Sequence, residues 1–133
     1  MKYMLLISVK KDAFEAYSKW PRDILEKNIT FMRNINKELK DEGVLVSTAG
    51  LAWPDQAVIV TATKDGTPIT DGIFPESKEF LAGYWIIDVE SREEAYKVAA
   101  RISLAPAPEE LGSSMPLEVR ELMTRAPDEL FEG

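Results

Sequence analysis

The sequence predicts an α+β domain in the ferredoxin-like order βαββαβ, an antiparallel sheet with two helices on one of its faces. Three observations carry that reading. Tyr3 to Val9 is a near-continuous apolar run, as found in the middle of a sheet. Arg22 to Glu42 places Ile24, Leu25, Phe31, Met32, Ile35 and Leu39 at spacings of three, four and seven, one stripe of an amphipathic helix. Ala82 to Val89 is a second apolar run, followed at once by a helix-start signal.

After the first strand, Lys10 to Trp20 forms a connector with a short helical turn around Ala13, Phe14 and Tyr17. Pro21 suits the first position of the long helix, where its missing N–H has no intrahelical partner. Gly43 suits its end, as a left-handed cap. Val44 to Leu51 and Gln56 to Thr63 read as the second and third strands, with Trp53-Pro54-Asp55 between them. The third carries apolar residues at odd and even positions, so both of its faces are expected to be covered. Asp65-Gly66 is a two-residue hairpin signal that returns the chain through Thr67 to Thr70, an extra short strand ending at an Asp71 loop.

In the strand from Ala82 to Val89, Tyr84, Ile86 and Asp88 share one face and Trp85, Ile87 and Val89 the other. Ser91 with Glu94 three residues later is a capping box, and Ala95, Tyr96, Val98, Ala99 and Ile102 give the helix behind it an apolar stripe. Ala105-Pro106-Ala107-Pro108 ends that helix, a loop runs to Ser114, and Leu117 to Leu122 is the last strand. Residues 1–122 make one domain, and 123–133 an acidic tail. Helices on one side only would leave the other face of the sheet apolar and wet, so a partner subunit is expected there.

Composition narrows function by exclusion. A formal charge of −7, with no Lys/Arg cluster beyond Lys10-Lys11, argues against nucleic acid as a partner. With no cysteine and no histidine, thiol chemistry, the usual neutral-pH base and the commonest metal ligand are all missing. Acid–base work would fall to carboxylates, lysine, tyrosine or water. No carboxylate cluster is spaced for a metal, and neither a phosphate-binding glycine loop nor a dinucleotide fingerprint occurs, so no cofactor is expected. The N-terminal apolar run is too short for a secretory signal and lacks a small-residue cleavage site. No run approaches the roughly 18 apolar residues of a membrane span, and a cytoplasmic location is the expectation.

The stretch Asp71-Gly72-Ile73-Phe74-Pro75-Glu76-Ser77-Lys78-Glu79, leading into Phe80-Leu81-Ala82-Gly83-Tyr84-Trp85, resembles the signature of the YCII-related superfamily in its DGPF branch. Ile73 stands where that signature has its proline. The opening Lys2-Tyr3-Met4-Leu5-Leu6 and the closing Leu117-Glu118-Val119-Arg120 extend the resemblance over residues 1–122. It implies a homodimer of the dimeric α/β-barrel type, two sheets closing around a cleft, and a small-molecule ligand near Asp71. Relatives in the wider fold include isomerases and cofactor-independent monooxygenases, which would make Asp71 an acid or base. The DGPF branch is often linked with extracytoplasmic-function sigma factors, which would imply a regulatory role instead. A His–Asp pair suggested for the wider group does not carry over, because this chain has no histidine to supply it.

Asp71 is the candidate catalytic residue. Asp-Gly is equally a turn dipeptide whose carboxylate accepts backbone N–H bonds, so the residues leave both roles open. Candidate ligand-binding residues are Tyr84, which could donate a hydrogen bond from its face of the sheet, Glu76 at the cleft mouth, and Arg22, able to meet an anion at the start of the long helix. For Glu76 and Arg22 a solvated surface charge is the competing reading. Trp85 is expected to pack rather than bind, Gly83 to allow close backbone approach, and Trp53-Pro54 would suit a rim or interface.

Overall fold

The structure is a computed structural model and describes residues 1–72, 79–108 and 115–124. Its elements are β1 (Lys2–Val9), α1 (Lys11–Tyr17), α2 (Arg22–Asp41), β2 (Leu45–Gly50), β3 (Val58–Ala62), β4 (Pro68–Gly72), β5 (Phe80–Asp88), α3 (Arg92–Ser103) and β6 (Glu118–Glu121), with a 3-10 turn at Pro54–Gln56. Four strands form one antiparallel sheet in the order β2-β5-β1-β6. The two crossovers, through α1 and α2 and then through α3, each skip one strand, the arrangement of a ferredoxin-like fold. β3 and β4 form a separate two-stranded sheet.

Alternation decides which face the helices cover. Tyr3, Leu5 and Ile7 of β1 and Trp85 and Ile87 of β5 point to one side and are buried, joined there by Val89. Ile35 and Leu39 of α2 and Ala95, Val98, Ala99 and Ile102 of α3 close over them. Each fully buried aliphatic side chain in such a layer contributes about 1.5–3 kcal/mol. Trp85 Nε1 donates to Asn36 Oδ1 on α2 at 2.7 Å, so its indole packs without an orphaned donor. The opposite face carries Met4, Leu6, Tyr84 and Ile86, all half-buried, and among the described residues no helix lies over it.

The helix ends follow local chemistry. Pro21 precedes α2 as its N-cap, with φ −51° and ψ 136°, so the helix starts one residue later than the proline rule suggested. At the other end Gly43 has φ +76°, its N–H donates to Lys40 O at 3.0 Å, and Val44 N–H donates to Leu39 O at 2.9 Å. These two bonds make a Schellman motif, which turns the chain sharply into β2. Ser91 Oγ accepts from Glu94 N–H at 3.2 Å. The returning carboxylate, Glu94 Oε2, takes the N–H of Glu90 at 3.2 Å rather than that of Ser91, a box displaced by one residue. Gly83 is central in β5, where a Cβ would lie 3.0 Å from the backbone oxygen of Ala49 on β2. Close strand approach therefore requires glycine at that position.

The hairpin differs from the sequence reading in three respects. Its loop is Lys64-Asp65-Gly66, three residues between a Thr63 N–H to Thr67 O bond of 2.9 Å, with Gly66 at φ +89°. A three-residue loop places the left-handed residue last, and glycine takes it without strain. Strand β4 runs on through Asp71 and Gly72, paired with Ile59 and Val58, so this second Asp-Gly is extended strand rather than turn. Both faces of β3, expected to be covered, are exposed: Val58, Ile59 and Val60 are each about half accessible or more.

Candidate functional site: an apolar cavity beneath the first helix

Near the carboxyl end of β1, the layer between sheet and helices opens into a cavity of about 460 Å³. Its floor is the helix-facing side of the sheet, Ile7 and Val9 of β1 and Ala82 of β5. One wall is α2, through Asn28 and Met32. The seven residues of α1 lie over it, too short a helix to be stable alone, and contribute Phe14 and Tyr17. The remaining sides come from Trp20, from Leu51 and Trp53 after β2, and from the chain that follows α3.

The lining is apolar and aromatic. Among the described residues that border the cavity, none is charged. Tyr17 and Trp20 meet with ring centroids 4.9 Å apart at 59°, a tilted aromatic pair that stiffens one wall. Trp53 is 42% exposed, which places it at the rim. Among the described residues Asn28 is the one buried polar residue, 7% exposed. Its Nδ2 donates to the Pro106 carbonyl at 2.9 Å, which ties α2 to the segment leaving α3. Trp20 Nε1 is buried with no acceptor among the described residues. Apolar walls with a few fixed polar groups are the usual make-up of a small-molecule site, and the volume lies within the usual range for one.

The residues singled out by sequence lie elsewhere in the chain. Asp71 is exposed on β4, opposite Ile59. Tyr84 is half-buried on the uncovered face of the four-stranded sheet, cross-strand from Leu6 and Ala49. Arg22 opens α2 with its side chain 91% exposed and forms an i,i+4 ion pair with Glu26 at 3.1 Å. Glu76 lies outside the described residues. Asp71, Tyr84 and Arg22 therefore occupy three different surfaces, and none of them borders the cavity. The cavity residues were visible in the sequence only as scattered aromatics, Phe14, Tyr17, Trp20 and Trp53, with no spacing that links them. No helix is long and apolar enough to cross a membrane among the described residues.

Two comparisons bear on what this architecture belongs to. The family model described as the YCII-related domain matches residues 1–121. An uncharacterized protein of Rhizobium meliloti (strain 1021) is 29% identical over 113 residues, which cover 85% of this chain and 87% of that protein. The matched region takes in every strand and helix from β1 to β6, the cavity walls included. The chain belongs to the YCII-related family.

Proposed function

We propose that the protein binds a small molecule in the cavity beneath α1 and works as a homodimer. The observation that carries the ligand reading is the cavity itself: about 460 Å³ of open space in the layer that should be the best packed, bordered by aromatic and aliphatic side chains. Interiors normally close-pack, and a void loses the dispersion contacts its lining would otherwise make. A ligand restores them. The homodimer reading rests on the other side of the sheet, where Met4, Leu6, Tyr84 and Ile86 form an apolar face with no helical cover among the described residues. A second copy, presenting the same face about a two-fold axis, would cover it.

In this reading Tyr84 belongs to the contact between subunits, and Arg22 is a solvated charge at a helix start. An acid–base role for Asp71 is a separate proposal. A carboxylate becomes an effective base near neutral pH when it is desolvated. Asp71 is exposed in one protomer, so that role requires a second copy or a bound molecule to cover the hairpin.

The test uses protein labelled with ¹³C at the methionine methyls. Met32 and Met115 border the cavity, whereas Met4 lies on the opposite face of the sheet. Titration with naphthalene should shift the Met32 and Met115 signals in a saturable way and leave Met4 in place. Sedimentation equilibrium of the same sample should return twice the chain mass. Unmoved Met32 and Met115 signals would remove the ligand reading, and a monomer mass at high protein concentration would remove the dimer.

A further inference from the structure

We infer that the cavity selects an uncharged aromatic molecule carrying one hydrogen-bond donor, a phenol or an enol, and that Asn28 is the residue that accepts this bond. The inference rests on the cavity being the ligand site and adds the class of ligand and its anchor.

The absence of charge among the described lining residues sets the first half. An ionised ligand would leave water for a space to which the described residues bring no counter-charge, a transfer that costs far more than apolar contact returns. Rings are favoured by the walls. Phe14, Tyr17, Trp20 and Trp53 offer edges and faces, and Met32 and Met115 add polarizable sulfur, which sits well against aromatic rims.

Asn28 sets the second half. A side-chain amide has two donors on Nδ2 and an acceptor in Oδ1. The carbonyl of Pro106 can only accept, so the atom 2.9 Å from it must be Nδ2, and the orientation of the amide is fixed by chemistry. Among the described residues no donor reaches Oδ1. Asn28 is more than nine-tenths buried and borders the cavity, so this acceptor belongs to the wall rather than to bulk solvent. Unlike Trp20 Nε1, Oδ1 is not sealed from solvent, so a ligand that displaces water from it without donating would leave the acceptor unpaired, whereas a ligand hydroxyl would replace that bond. Trp20 does not compete for this role. Its Nε1 is sealed from solvent, whereas an atom facing a space that admits water would be reached by it. Tyr17, whose hydroxyl can donate or accept, also borders the cavity, but Asn28 is the acceptor whose orientation is fixed, and it favours a ligand that donates to it.

The test compares three probes of one ring size: 2-naphthol, neutral at pH 7 and able to donate; 2-methoxynaphthalene, which cannot donate; and 2-naphthoate, an anion. Binding is followed at the Met32 and Met115 methyl signals. The naphthol should bind about tenfold more tightly than the ether. Transfer from water alone favours the ether, since burying an unpaired hydroxyl is costly, so the order of the pair is diagnostic. The naphthoate should be weaker than the naphthol by tenfold or more. In Asn28→Ala the preference for naphthol should vanish while the ether still binds. Should that variant fold poorly through loss of the Pro106 bond, the order of the two neutral probes in the wild type decides alone.

Equal or reversed affinities of naphthol and ether would overturn the assignment of Asn28 and leave the cavity as a ligand site. A naphthoate that binds as well as the naphthol would overturn the uncharged class. If none of the three moves either methionine, the cavity reading falls and this inference with it.

Discussion

The two sheets of this molecule are built from similar residues and end in opposite situations. In the four-stranded sheet, β1 and β5 pair through eight positions with one register irregularity, and their alternate residues disappear beneath α2 and α3. In the hairpin, β3 and β4 pair in unbroken register over five positions, yet every residue of both strands is exposed. A two-stranded hairpin is at best marginally stable by itself in water. Val58, Val60 and Ile69 each keep half or more of their surface in solvent, so most of the 1.5–3 kcal/mol that full burial gives such a side chain is unrealised in the single chain. Strand formation is a local property of the chain, and stability comes from whatever covers the strand.

Substitution of one aliphatic residue in each sheet gives the sharpest version of that contrast. Leu5 is completely buried between the sheet and the helices, and Leu5→Ala should lower the unfolding free energy by about 2–5 kcal/mol. Val60 is 58% exposed, and Val60→Ala should change it by no more than about 0.5 kcal/mol. Urea unfolding at low protein concentration measures both. A Val60 cost above about 1 kcal/mol that grows with protein concentration would break the contrast, because the hairpin would then be covered in solution by a second copy.

Glycine provides a second pair with a smaller effect. Gly83 lies between strands, and the Cβ of Gly83→Ala would press on Ala49 O at 3.0 Å, so β2 and β5 must separate or twist. A cost of about 1–3 kcal/mol is expected. Gly72, at the end of β4, has no positive φ, and a Cβ there would meet nothing within 4 Å among the described residues. Gly72→Ala should be neutral or stabilising by up to about 1 kcal/mol, through the unfolded chain alone. Thermal unfolding of the two variants side by side tests this, and equal losses would mean that the hairpin end packs against something as closely as β5 does.

Much of this was legible in the sequence, for reasons that differ by element. The stripe from Ile24 to Leu39 fixed the covered face of α2 because helical period is a property of consecutive residues, and Gly43 marked its end because only a residue without Cβ takes φ +76° readily. Strict alternation placed Tyr84 and Trp85 on opposite faces of β5, and the buried one is Trp85. The hairpin was harder. Apolar β-branched residues on both faces of 58–62 signal a strand, but the pattern is the same for a strand buried in a sheet and for one held out in solvent. The cavity was not legible at all. It is assembled from stretches scattered between Ile7 and Pro116, and its lining residues are largely the same types that fill the core. A void is a property of how side chains meet, and no spacing along the chain records it.

The finest distinction is between the two Asp-Gly dipeptides of the hairpin, which the sequence presents as equals. Asp71-Gly72 is paired strand, while Asp65-Gly66 makes the turn. Asp65 Oδ1 accepts from the Thr63 hydroxyl, from the Thr67 hydroxyl at 2.8 Å and from Thr67 N–H at 3.1 Å. These bonds, that to Thr63 above all, favour the ionised carboxylate and lower its pKa from 3.8 to about 2. A group with a depressed folded pKa stabilises the fold fully above its unfolded value, and loses that contribution as pH falls through the folded one. The turn should therefore stay closed from neutral pH down to about 4, and loosen as Asp65 is protonated near pH 2. The hairpin packs little against the four-stranded sheet, so the change should be local: weaker cross-strand NOEs between Thr61 and Ile69, with the Thr67 amide shift following the same midpoint. Asp65→Asn keeps an acceptor and removes the titration, so its hairpin signals should show no step near pH 2. A Thr67 midpoint at the ordinary carboxylate value, or a step that persists in Asp65→Asn, would mean that the threonine cage does not hold Asp65 and that strand pairing alone closes the hairpin.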